Sequence, residues 1–193
     1  MTRSDLVRGD AALTGGTARG AKLFTVAGLD VRPALARLRN SIFQVLSPRV
    51  EGVALDLFAG IGTMGLEALS RGAEFAMFID SDPRCVAAVR RNLEKLRFAD
   101  RAEVVEGDAL QAPAIVAPSG RSFDLVFVDA PYALYNDPAS AARLEAAVAA
   151  LPIRGLAVVE HRTVQKFADS WAGGRLVDRR KYGGTTVSLF ERT

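Results

Sequence analysis

The stretch Val53-Ala-Leu-Asp-Leu-Phe-Ala-Gly-Ile-Gly-Thr-Met-Gly-Leu-Glu-Ala-Leu69 carries the pattern that predicts the fold of this chain. Its first residues form a short apolar run typical of a buried strand, and its last residues have the apolar spacing of a helix. Between them, Gly60, Gly62 and Gly65 stand at G-x-G-x-x-G spacing, which lets the backbone turn tightly and approach a ligand. The free N–H groups at the start of the helix then point at whatever occupies the turn.

Asp56, near the end of the strand, bears on which ligand the turn binds. A dinucleotide would bring a pyrophosphate to this point, and a carboxylate beside it would repel that group. S-adenosylmethionine presents an ammonium and a sulfonium, which a carboxylate attracts, and its own carboxylate suits the helix N-terminus. The pattern therefore favours S-adenosylmethionine, and an NAD-dependent oxidoreductase stays as a second hypothesis. The residues expected to contact the cofactor in this stretch are Asp56, Phe58, Ala59, Gly60, Gly62, Thr63 and Gly65.

The length and composition of the chain exclude several classes of protein. Its 193 residues are enough for one α/β domain with a modest extension. It has no apolar run long enough to span a bilayer, and the segment after Met1 lacks the apolar character of an export signal. The single cysteine, Cys85, cannot form an internal disulfide, so we expect a cytoplasmic protein in which Cys85 faces inward from a helix. Without a cysteine or histidine cluster we also expect no metal site.

The positive charge is concentrated in the first quarter of the chain. Residues 1–50 hold eight Lys or Arg and three Asp or Glu, whereas residues 51–193 hold 17 and 19. A basic segment ahead of a nearly neutral domain indicates an anionic macromolecule as partner, although a solvated face explains the charge alone equally well. We therefore divide the chain into a basic N-terminal arm and helix, residues 1–50, and a second domain, residues 51–193.

Strands and helices alternate along the chain. The apolar pattern predicts strands at Leu23–Val26, Val53–Leu57, Glu74–Ile79, Ala102–Glu106, Phe123–Val128, Leu156–Glu160, Gly174–Tyr182 and Thr185–Glu191. It predicts helices that begin at Val31-Arg-Pro33, after the glycine turn, at Asp82, near Ala109, at Asp137 or Ser140, and at residue 164. The fold class is therefore α/β, with a mostly parallel sheet, an antiparallel C-terminal hairpin and a small N-terminal hairpin or arm. Trp171, Tyr182 and Phe190 fit core positions, and His161 fits the surface.

Acidic side chains follow the next two parallel strands at the place where such sheets bind ligands, beyond the carboxyl ends. Asp80 lies 20 residues after Gly60, the spacing at which an acid reaches a ribose diol. Asp108 follows a turn glycine, and it either accepts a hydrogen bond from an adenine amine or caps the next helix. Ser81 and Ala109, which follow these acids, belong to the same predicted cofactor site.

The segment Asp129-Ala-Pro-Tyr132 predicts the reaction. The lone pair of an exocyclic amine is delocalised into its ring, which makes the nitrogen a poor nucleophile. The Asp129 carboxylate and the Ala130 carbonyl would accept both amine protons and favour a pyramidal nitrogen with its lone pair aimed outward. Tyr132 would stack on a base that has left its helix, and Pro131 would stiffen the turn. An ordinary Asp-Pro turn after a strand is the alternative.

The chain resembles the S-adenosylmethionine-dependent 16S rRNA guanine-N2 methyltransferases of the RsmD type. The resemblance runs from about Gly15 to Arg192, and the segments that carry it are Gly15-Gly16-x-x-Arg19-Gly20-x-x-Leu23, Arg32-Pro33 with Arg37-x-Arg39 and Ile42-Phe43, Leu55-Asp-x-Phe-Ala-Gly-x-Gly-x-x-Gly-Leu-Glu-Ala-Leu-Ser-Arg71, and Phe127-Val-Asp-x-Pro-Tyr132. It implies a seven-stranded class I methyltransferase fold of Rossmann-like type, S-adenosylmethionine as methyl donor, and 16S rRNA or the small ribosomal subunit as substrate.

The resemblance also implies roles for basic residues of the N-terminal segment. The candidate phosphate contacts are Arg19, Arg32, Arg37 and Arg39. For the last two, a solvated helix face is the alternative. We expect the protein to act as a monomer without a metal ion.

The chain departs from the family pattern at a few positions. Ala130 stands where the family usually has proline, so the turn loses rigidity while the main-chain carbonyl is kept. Ala34, Ala36 and Asn40 stand where the family has Thr, Asp and Glu, which bears on the identity of the substrate. A methyltransferase for another RNA or DNA amine, and a catalytically silent RNA-binding module, therefore stay as alternatives.

Overall fold

The N-terminal part of the chain forms a hairpin and a helix. The computed structural model describes residues 6–28, 33–47 and 50–192, and the side chains of residues 8 and 33–36 lie outside that description. Strand β1 (Leu6–Ala12) pairs antiparallel with β2 (Lys22–Val26), and helix α1 (Pro33–Leu46) follows. Pro33 is the first residue of α1, as predicted, because its fixed φ suits a first turn, where no N–H is needed.

An eight-stranded sheet forms the centre of the fold. Its strands are β3 (Val53–Leu57), β4 (Phe75–Asp80), β5 (Ala102–Glu106), β6 (Phe123–Val128), β7 (Ile153–Arg162), β8 (Ser170–Trp171), β9 (Gly174–Tyr182) and β10 (Thr185–Glu191). Their order across the sheet is β5-β4-β3-β6-β7-β10-β9-β8, parallel from β5 to β7 and antiparallel beyond. The chain order reverses between β3 and β6, and open sheets of this kind bind ligands at that switch point.

Helices cover both faces of the sheet. On one face α1 and the hairpin pack with α2 (Thr63–Arg71) and α3 (Pro83–Leu96); on the other lie α4 (Ala112–Val116) and α6 (Pro138–Ala149). The short helix α5 (Tyr132–Asn136) follows β6 after a three-residue turn. Because both faces are covered, the central parallel strands β3, β4 and β6 are apolar almost throughout, and Phe78 and Phe127 are fully buried between the layers. Within the described ranges, none of the helices has the length and apolar character that a bilayer crossing requires.

A buried charge cluster joins the N-terminal segment to α1 and α2. Glu67 on α2 is fully buried, and its carboxylate accepts hydrogen bonds from the N–H and the hydroxyl of Thr14, both at 2.8 Å. It also accepts from Nε of Arg39 at 3.2 Å and from Nε of Arg71 at 2.8 Å. Arg39 in turn donates to the carbonyl of Ala12. A single carboxylate therefore ties three parts of the chain together.

A second set of hydrogen bonds holds the loop after β1 against the end of α2. The Ser70 hydroxyl donates to the carbonyl of Gly15 at 2.6 Å and accepts from the N–H of Ala18 at 2.9 Å, and the N–H of Thr17 donates to the Ser70 carbonyl at 2.7 Å. Gly16 has a φ of +73°, and a Cβ at this position would lie 1.8 Å from the Ser70 carbonyl oxygen. The loop therefore requires glycine there.

The structure corrects the sequence prediction at several elements. The sheet has eight strands instead of seven, because the two residues of β8 extend β9 at the edge. The small N-terminal hairpin was predicted without bounds for its first strand, β1, and helix α5 was not predicted. The helix predicted at 164–170 is wrong, since this segment is a turn and irregular chain in which Phe167 packs against His161 and Trp171. The surface position predicted for His161 is also wrong, because this residue is 2% exposed.

Candidate active site

A cleft of about 400 Å³ opens beyond the carboxyl ends of β3 to β6. Most of the residues predicted for the cofactor and for catalysis line it, namely Phe58, Gly60, Asp80, Ser81, Asp108, Ala109, Asp129, Ala130, Pro131 and Tyr132, together with Cys85. Its size lies within the range of small-molecule sites, roughly 300–1,000 Å³. Residues that are up to 74 positions apart in the chain, from Phe58 to Tyr132, therefore share one cavity.

The loop between β3 and α2 forms one wall of the cleft. Gly60 has a φ of +54°, and a Cβ there would meet no atom within 4 Å, so the backbone faces open space. Its N–H donates to Oδ2 of Asp80 at 2.7 Å, and Oδ1 of Asp80 accepts from the N–H of Asp82 at 2.8 Å. Phe58 has a φ of +57°, which costs a non-glycine residue roughly 1 kcal/mol or more. The wall therefore combines a permissive glycine, a strained aromatic residue and a carboxylate that fixes both neighbouring turns.

Asp56 lies beneath this loop and not among the residues that line the cleft. It is 2% exposed, and its Oδ2 accepts from the N–H of Gly65 at 2.8 Å. Gly65 is the third residue of α2, so the carboxylate satisfies a donor that the start of a helix leaves free. Burial, with the nearby Asp129 and Asp80 carboxylates, raises the pKa of Asp56 well above its usual range. Its location supports a role in holding the loop, where the sequence had suggested a direct contact with a cofactor cation.

Four other predicted residues also lie outside the lining of the cleft. Ala59 is buried and donates its N–H to the carbonyl of Ile79 at 3.1 Å. Gly62 precedes α2, and Thr63 and Gly65 begin it. A Cβ at Gly65 would lie 2.3 Å from the Phe78 ring, so this position allows α2 to pack closely on β4. These residues shape the loop and its packing.

Asp108 and Asp82 cap helices. Asp82 accepts from the N–H of Arg84 at 2.8 Å at the start of α3, as predicted. The Oδ1 of Asp108 accepts from the N–H of Leu110 at 2.9 Å and so caps the short 3₁₀ turn Ala109–Gln111. The alternative noted for Asp108, a helix cap, is therefore present, and Asp108 lines the cleft as well.

The predicted reactive segment lies next to the glycine loop. Asp129 and Ala130 follow β6, and Pro131 precedes Tyr132, the first residue of α5. Asp129 is exposed on its cleft side but otherwise surrounded by protein, and the resulting loss of solvent raises its pKa to about 6. Its carboxyl group is therefore largely ionised near pH 7 and able to accept hydrogen bonds.

Sequence reasoning missed the charged surroundings of this segment. Glu160 on β7 is half-buried, and burial together with the Asp129 carboxylate raises its pKa to about 8. The nearby Tyr132 side chain opposes this rise in the pKa, and its hydroxyl lies 3.3 Å from Oγ1 of Thr185. The guanidinium of Arg162 lies 5.0 Å from the centre of the Tyr132 ring. In the sequence, the only sign of this environment was that Glu160 interrupts an apolar strand near its carboxyl end.

Cys85 faces inward from α3, as predicted. Burial, with the nearby Asp80 and Asp82 carboxylates, raises the pKa of its thiol to about 12, so the thiol stays protonated. Throughout the part of the chain that the structure describes, no group of three or more His, Cys, Asp or Glu side chains is arranged to hold a metal ion.

The four predicted phosphate contacts have different locations. Arg37 is exposed on α1, whose first turns lie towards the carboxyl edge of the sheet, because its last residues precede the start of β3. Arg19 is exposed in the loop held against the end of α2, at the opposite edge from the cleft. Arg32 lies outside the described residues. The prediction for Arg39 is wrong, because this residue is 4% exposed and its guanidinium is bound to Glu67 and the Ala12 carbonyl.

Asn40 takes part in the same buried network. It stands where the resemblance places a glutamate, and its Oδ1 accepts from Arg71 at 3.2 Å. The departure at Asn40 therefore concerns the packing of α1 against α2.

A mostly parallel sheet with its switch point between β3 and β6, a glycine loop after the first parallel strand, and acids at the strand ends define a class I methyltransferase. The chain belongs to the family described as conserved hypothetical protein 95, whose model matches residues 12–191.

Relatives support this assignment at the level of sequence and of structure. The chain is 32% identical over 178 residues to a protein named as an rRNA methyltransferase, YlbH, of Bacillus subtilis, covering 92% of this chain and 96% of that one. It is 38% identical over 125 residues to ribosomal RNA small subunit methyltransferase D of Escherichia coli strain K12, covering 64% of this chain and 61% of that one. A solved structure named as the methyltransferase yhhF of Escherichia coli has a TM-score of 0.80 at 29% identity, covering 95% and 98%.

These similarities confirm the predicted family, fold class and cofactor, S-adenosylmethionine, at the level of the class. The shape and lining of the cleft also fit this cofactor, independently of the similar proteins. The Gly60 backbone faces open space, Asp80 and Asp108 line the same cleft, and the cavity volume of about 400 Å³ suits a nucleoside with an amino-acid tail. The NAD-dependent alternative is not favoured, because the family and the neighbouring structures are methyltransferases.

Proposed function

We propose that this protein transfers a methyl group from S-adenosylmethionine to the exocyclic N2 amine of a guanine in small-subunit ribosomal RNA. The observation that supports this most is the location of Asp129-Ala130-Pro131-Tyr132 in the same cleft as the glycine loop. The names of the two similar methyltransferases, from Bacillus subtilis and Escherichia coli, support rRNA as the substrate.

The chain's own residues divide into those that hold the cofactor and those that hold the amine. Bound S-adenosylmethionine would supply an electrophilic methyl group and leave as S-adenosylhomocysteine, and the methylated amine would lose one proton to water, directly or through Asp129. On the protein side, Asp80 retains acceptor capacity for a ribose diol, and Asp108, which lines the cleft and uses Oδ1 for the helix cap, would accept from an adenine amine through Oδ2. The loop that Asp56 and Asp80 fix keeps these groups in place without reorganisation.

The reacting amine is held by Asp129 and Ala130. The Asp129 carboxylate, ionised near pH 7, accepts one amine proton, and the Ala130 carbonyl accepts the other. Two acceptors arranged in this way favour a pyramidal nitrogen with an available lone pair. Tyr132 stacks on the base, which must leave its helix to enter the cleft. Pro131 fixes the backbone that carries both acceptors.

Partner and location follow from the same proposal. The substrate is 16S rRNA, either free or within the small subunit, so the protein would act in the cytoplasm; that it acts as a monomer is a separate expectation. Residues 1–50 serve as the RNA-contacting extension, with exposed Arg37 as the described phosphate contact nearest the carboxyl edge of the sheet.

Methyl transfer from labelled S-adenosylmethionine to small subunits that lack the modification tests the proposal, followed by mapping of the methylated base. Asp129→Ala should lower kcat/KM at least ~100-fold, because a preorganised acceptor is lost, while calorimetry shows nearly intact cofactor binding. Asp100→Ala, the same change at an exposed position in the short turn Ala99–Arg101, is the matched control and should behave as wild type. Full turnover by Asp129→Ala, or a methyl group found on another atom, would refute the assignment.

A further inference from the structure

Glu160 stands beside Asp129 at the carboxyl edge of the sheet. Val128, the last residue of β6, pairs with Val159 of β7 in parallel register, so Asp129, which follows β6, and Glu160, the next residue of β7, stand side by side. Neighbouring strands are about 4.8 Å apart, and side chains at matching positions point to the same face. The electrostatic effect of Asp129 on Glu160 agrees with this placement.

Glu160 lies on the side of Asp129 that faces away from the glycine loop. The strand order places β3, which carries the loop, on one side of β6, and β7, which carries Glu160, on the other. The residues that line the cofactor cleft extend to Asp129 and Tyr132 and do not include Glu160. A group bound between Asp129 and Glu160 therefore belongs to the acceptor of the methyl group and not to its donor.

Tyr132 is fixed in the same region by its hydroxyl group. That hydroxyl lies 3.3 Å from Oγ1 of Thr185, Tyr132 is close enough to Glu160 to affect the pKa of its carboxyl group, and the Arg162 guanidinium lies 5.0 Å from the centre of the ring. A ring held at its polar end and covered by a cation on one side offers the other side to a base. The free face of the Tyr132 ring and the carboxyl groups of Asp129 and Glu160 can therefore contact the same planar base.

We propose that Glu160 selects guanine by accepting the N1–H of the target base while Asp129 and Ala130 hold its N2 amine. This inference rests on the proposed function. Guanine carries the N1–H donor directly beside its amine, whereas adenine carries a lone pair at N1 beside its own amine. A carboxylate accepts from the first and repels the second. Glu160 is therefore a specificity-determining residue for the base.

The protonation of the two acids is compatible with this role. In the free protein, burial and the Asp129 carboxylate raise the pKa of Glu160 to about 8, so the two acids together hold about one proton near pH 7. Hydrogen-bond donors aimed at a carboxylate favour its ionised form. The donors of a guanine edge would therefore displace that proton as the base binds.

The test compares guanine with 2-aminopurine, which keeps the amine at C2 but has a lone pair at N1. Small subunits are rebuilt with ligated 16S rRNA that carries either base at the position mapped in the wild-type reaction. At pH 8.5–9, where Glu160 is ionised and offers no proton to N1 of 2-aminopurine, the wild-type protein should prefer guanine at least ~100-fold in kcat/KM. Glu160→Gln can donate an amide hydrogen to N1 of 2-aminopurine, so its preference should shrink to within ~10-fold. Both proteins should bind S-adenosylmethionine equally in calorimetry, because Glu160 lies outside the cofactor cleft.

Glu103→Gln, which makes the same chemical change at an exposed position of β5, is the control and should keep the wild-type preference. A Glu160→Gln variant that keeps the wild-type ratio of kcat/KM for guanine to that for 2-aminopurine would overturn the inference. Equal methylation of both bases by the wild-type protein would also overturn it, without any variant. A wild-type protein that leaves guanine N2 unmethylated would overturn the proposed function and this inference together.

Discussion

The acids at the strand ends differ in what their oxygen atoms bind. Asp56 accepts from the N–H of Gly65, and Asp80 accepts from the N–H groups of Gly60 and Asp82. These bonds hold the loop in shape before any ligand binds. Part of the conformational entropy of the site is therefore lost during folding and not during binding. Asp129, with its raised pKa, sits where no such structural task accounts for it. The free energy that desolvation of the Asp129 carboxylate costs is consistent with a role in binding a ligand.

Glu160 should make the free protein less stable as the pH rises. Its pKa of about 8 in the folded state exceeds its ordinary value of 4.5, so the folded state binds a proton that the unfolded chain has lost between these values. The free energy of unfolding therefore falls from about pH 4.5 to about pH 8 because of this group. Glu160→Gln removes the effect and should raise stability by about 1–2 kcal/mol at pH 8.5, or roughly 2–8 °C in Tm.

Calorimetric melting of both proteins at pH 4.5 and pH 8.5 measures this difference. At the lower pH the two Tm values should agree, because the wild-type side chain is then protonated in the folded state. Glu103→Gln, on the exposed side of β5, should show no gain at either pH. An equal gain for Glu160→Gln at both pH values would show that packing, and not the charge, causes it.

The elements of the N-terminal segment depend on the Glu67 cluster. A buried ion pair that loses one partner leaves an uncompensated charge, which typically costs about 3–5 kcal/mol. Arg39→Met removes the guanidinium that bonds to Glu67 and to the Ala12 carbonyl, while Arg71 stays beside Glu67. We expect a loss near the lower end, about 3 kcal/mol, or roughly 6–12 °C in Tm.

Urea unfolding followed by circular dichroism measures this loss. Arg37→Met, two residues earlier on the same helix but exposed, is the matched control and should change stability by less than ~0.5 kcal/mol. Equal effects of the two substitutions would contradict the structural role of Arg39.

Most elements of the fold could be predicted from the sequence because their patterns are local. The strands β5, β6, β9 and β10 have the predicted bounds, and the Asp82-Pro83 pair marks the start of α3. The bounds of β1 could not be predicted because Gly9 and the charged Arg8 and Asp10 interrupt the alternation of apolar and polar residues that is typical of a strand. The false helix at 164–170 arose because an apolar residue at helical spacing, Phe167, packs instead on aromatic residues from β7 and β8.

The site residues that directly follow a strand could be predicted from the sequence. The residues that reach the site only through the pairing of two strands could not. Asp80, Asp108 and Asp129 each follow a recognisable strand, and all three line the cleft. Glu160 could not be found in this way, because only the pairing of β6 with β7 brings it beside Asp129. Arg39 was misassigned for the same reason, since its partner Glu67 is 28 positions further along the chain.

At the scale of the whole molecule, the exposed positive charge should set how strongly the protein holds RNA. Each phosphate contact adds about 0.7–0.9 to the slope of log affinity against log salt. Arg37→Gln should therefore weaken binding of a 16S rRNA fragment and lower that slope by about 1. Arg19→Gln should have a smaller effect, because Arg19 lies at the opposite edge from the cleft.

Filter binding or fluorescence anisotropy across a series of KCl concentrations measures both slopes. Arg143→Gln, at an exposed position of α6 on the other face of the sheet, is the control and should leave the slope unchanged. A slope that Arg143→Gln lowers as much as Arg37→Gln would mean that the charge acts as a diffuse field instead of through a contact.

The loop at Gly15 and Gly16 limits how the chain can be shortened. Cutting away the residues before Lys22 would look harmless from the sequence, because it trims a polar and glycine-rich tail ahead of the catalytic domain. Such a cut would instead remove both donors of Thr14 from Glu67 and both loop partners of the Ser70 hydroxyl. The trimmed protein would then carry a half-satisfied acid inside its core, so this tail is a component of the domain and an unsuitable place for a truncation boundary.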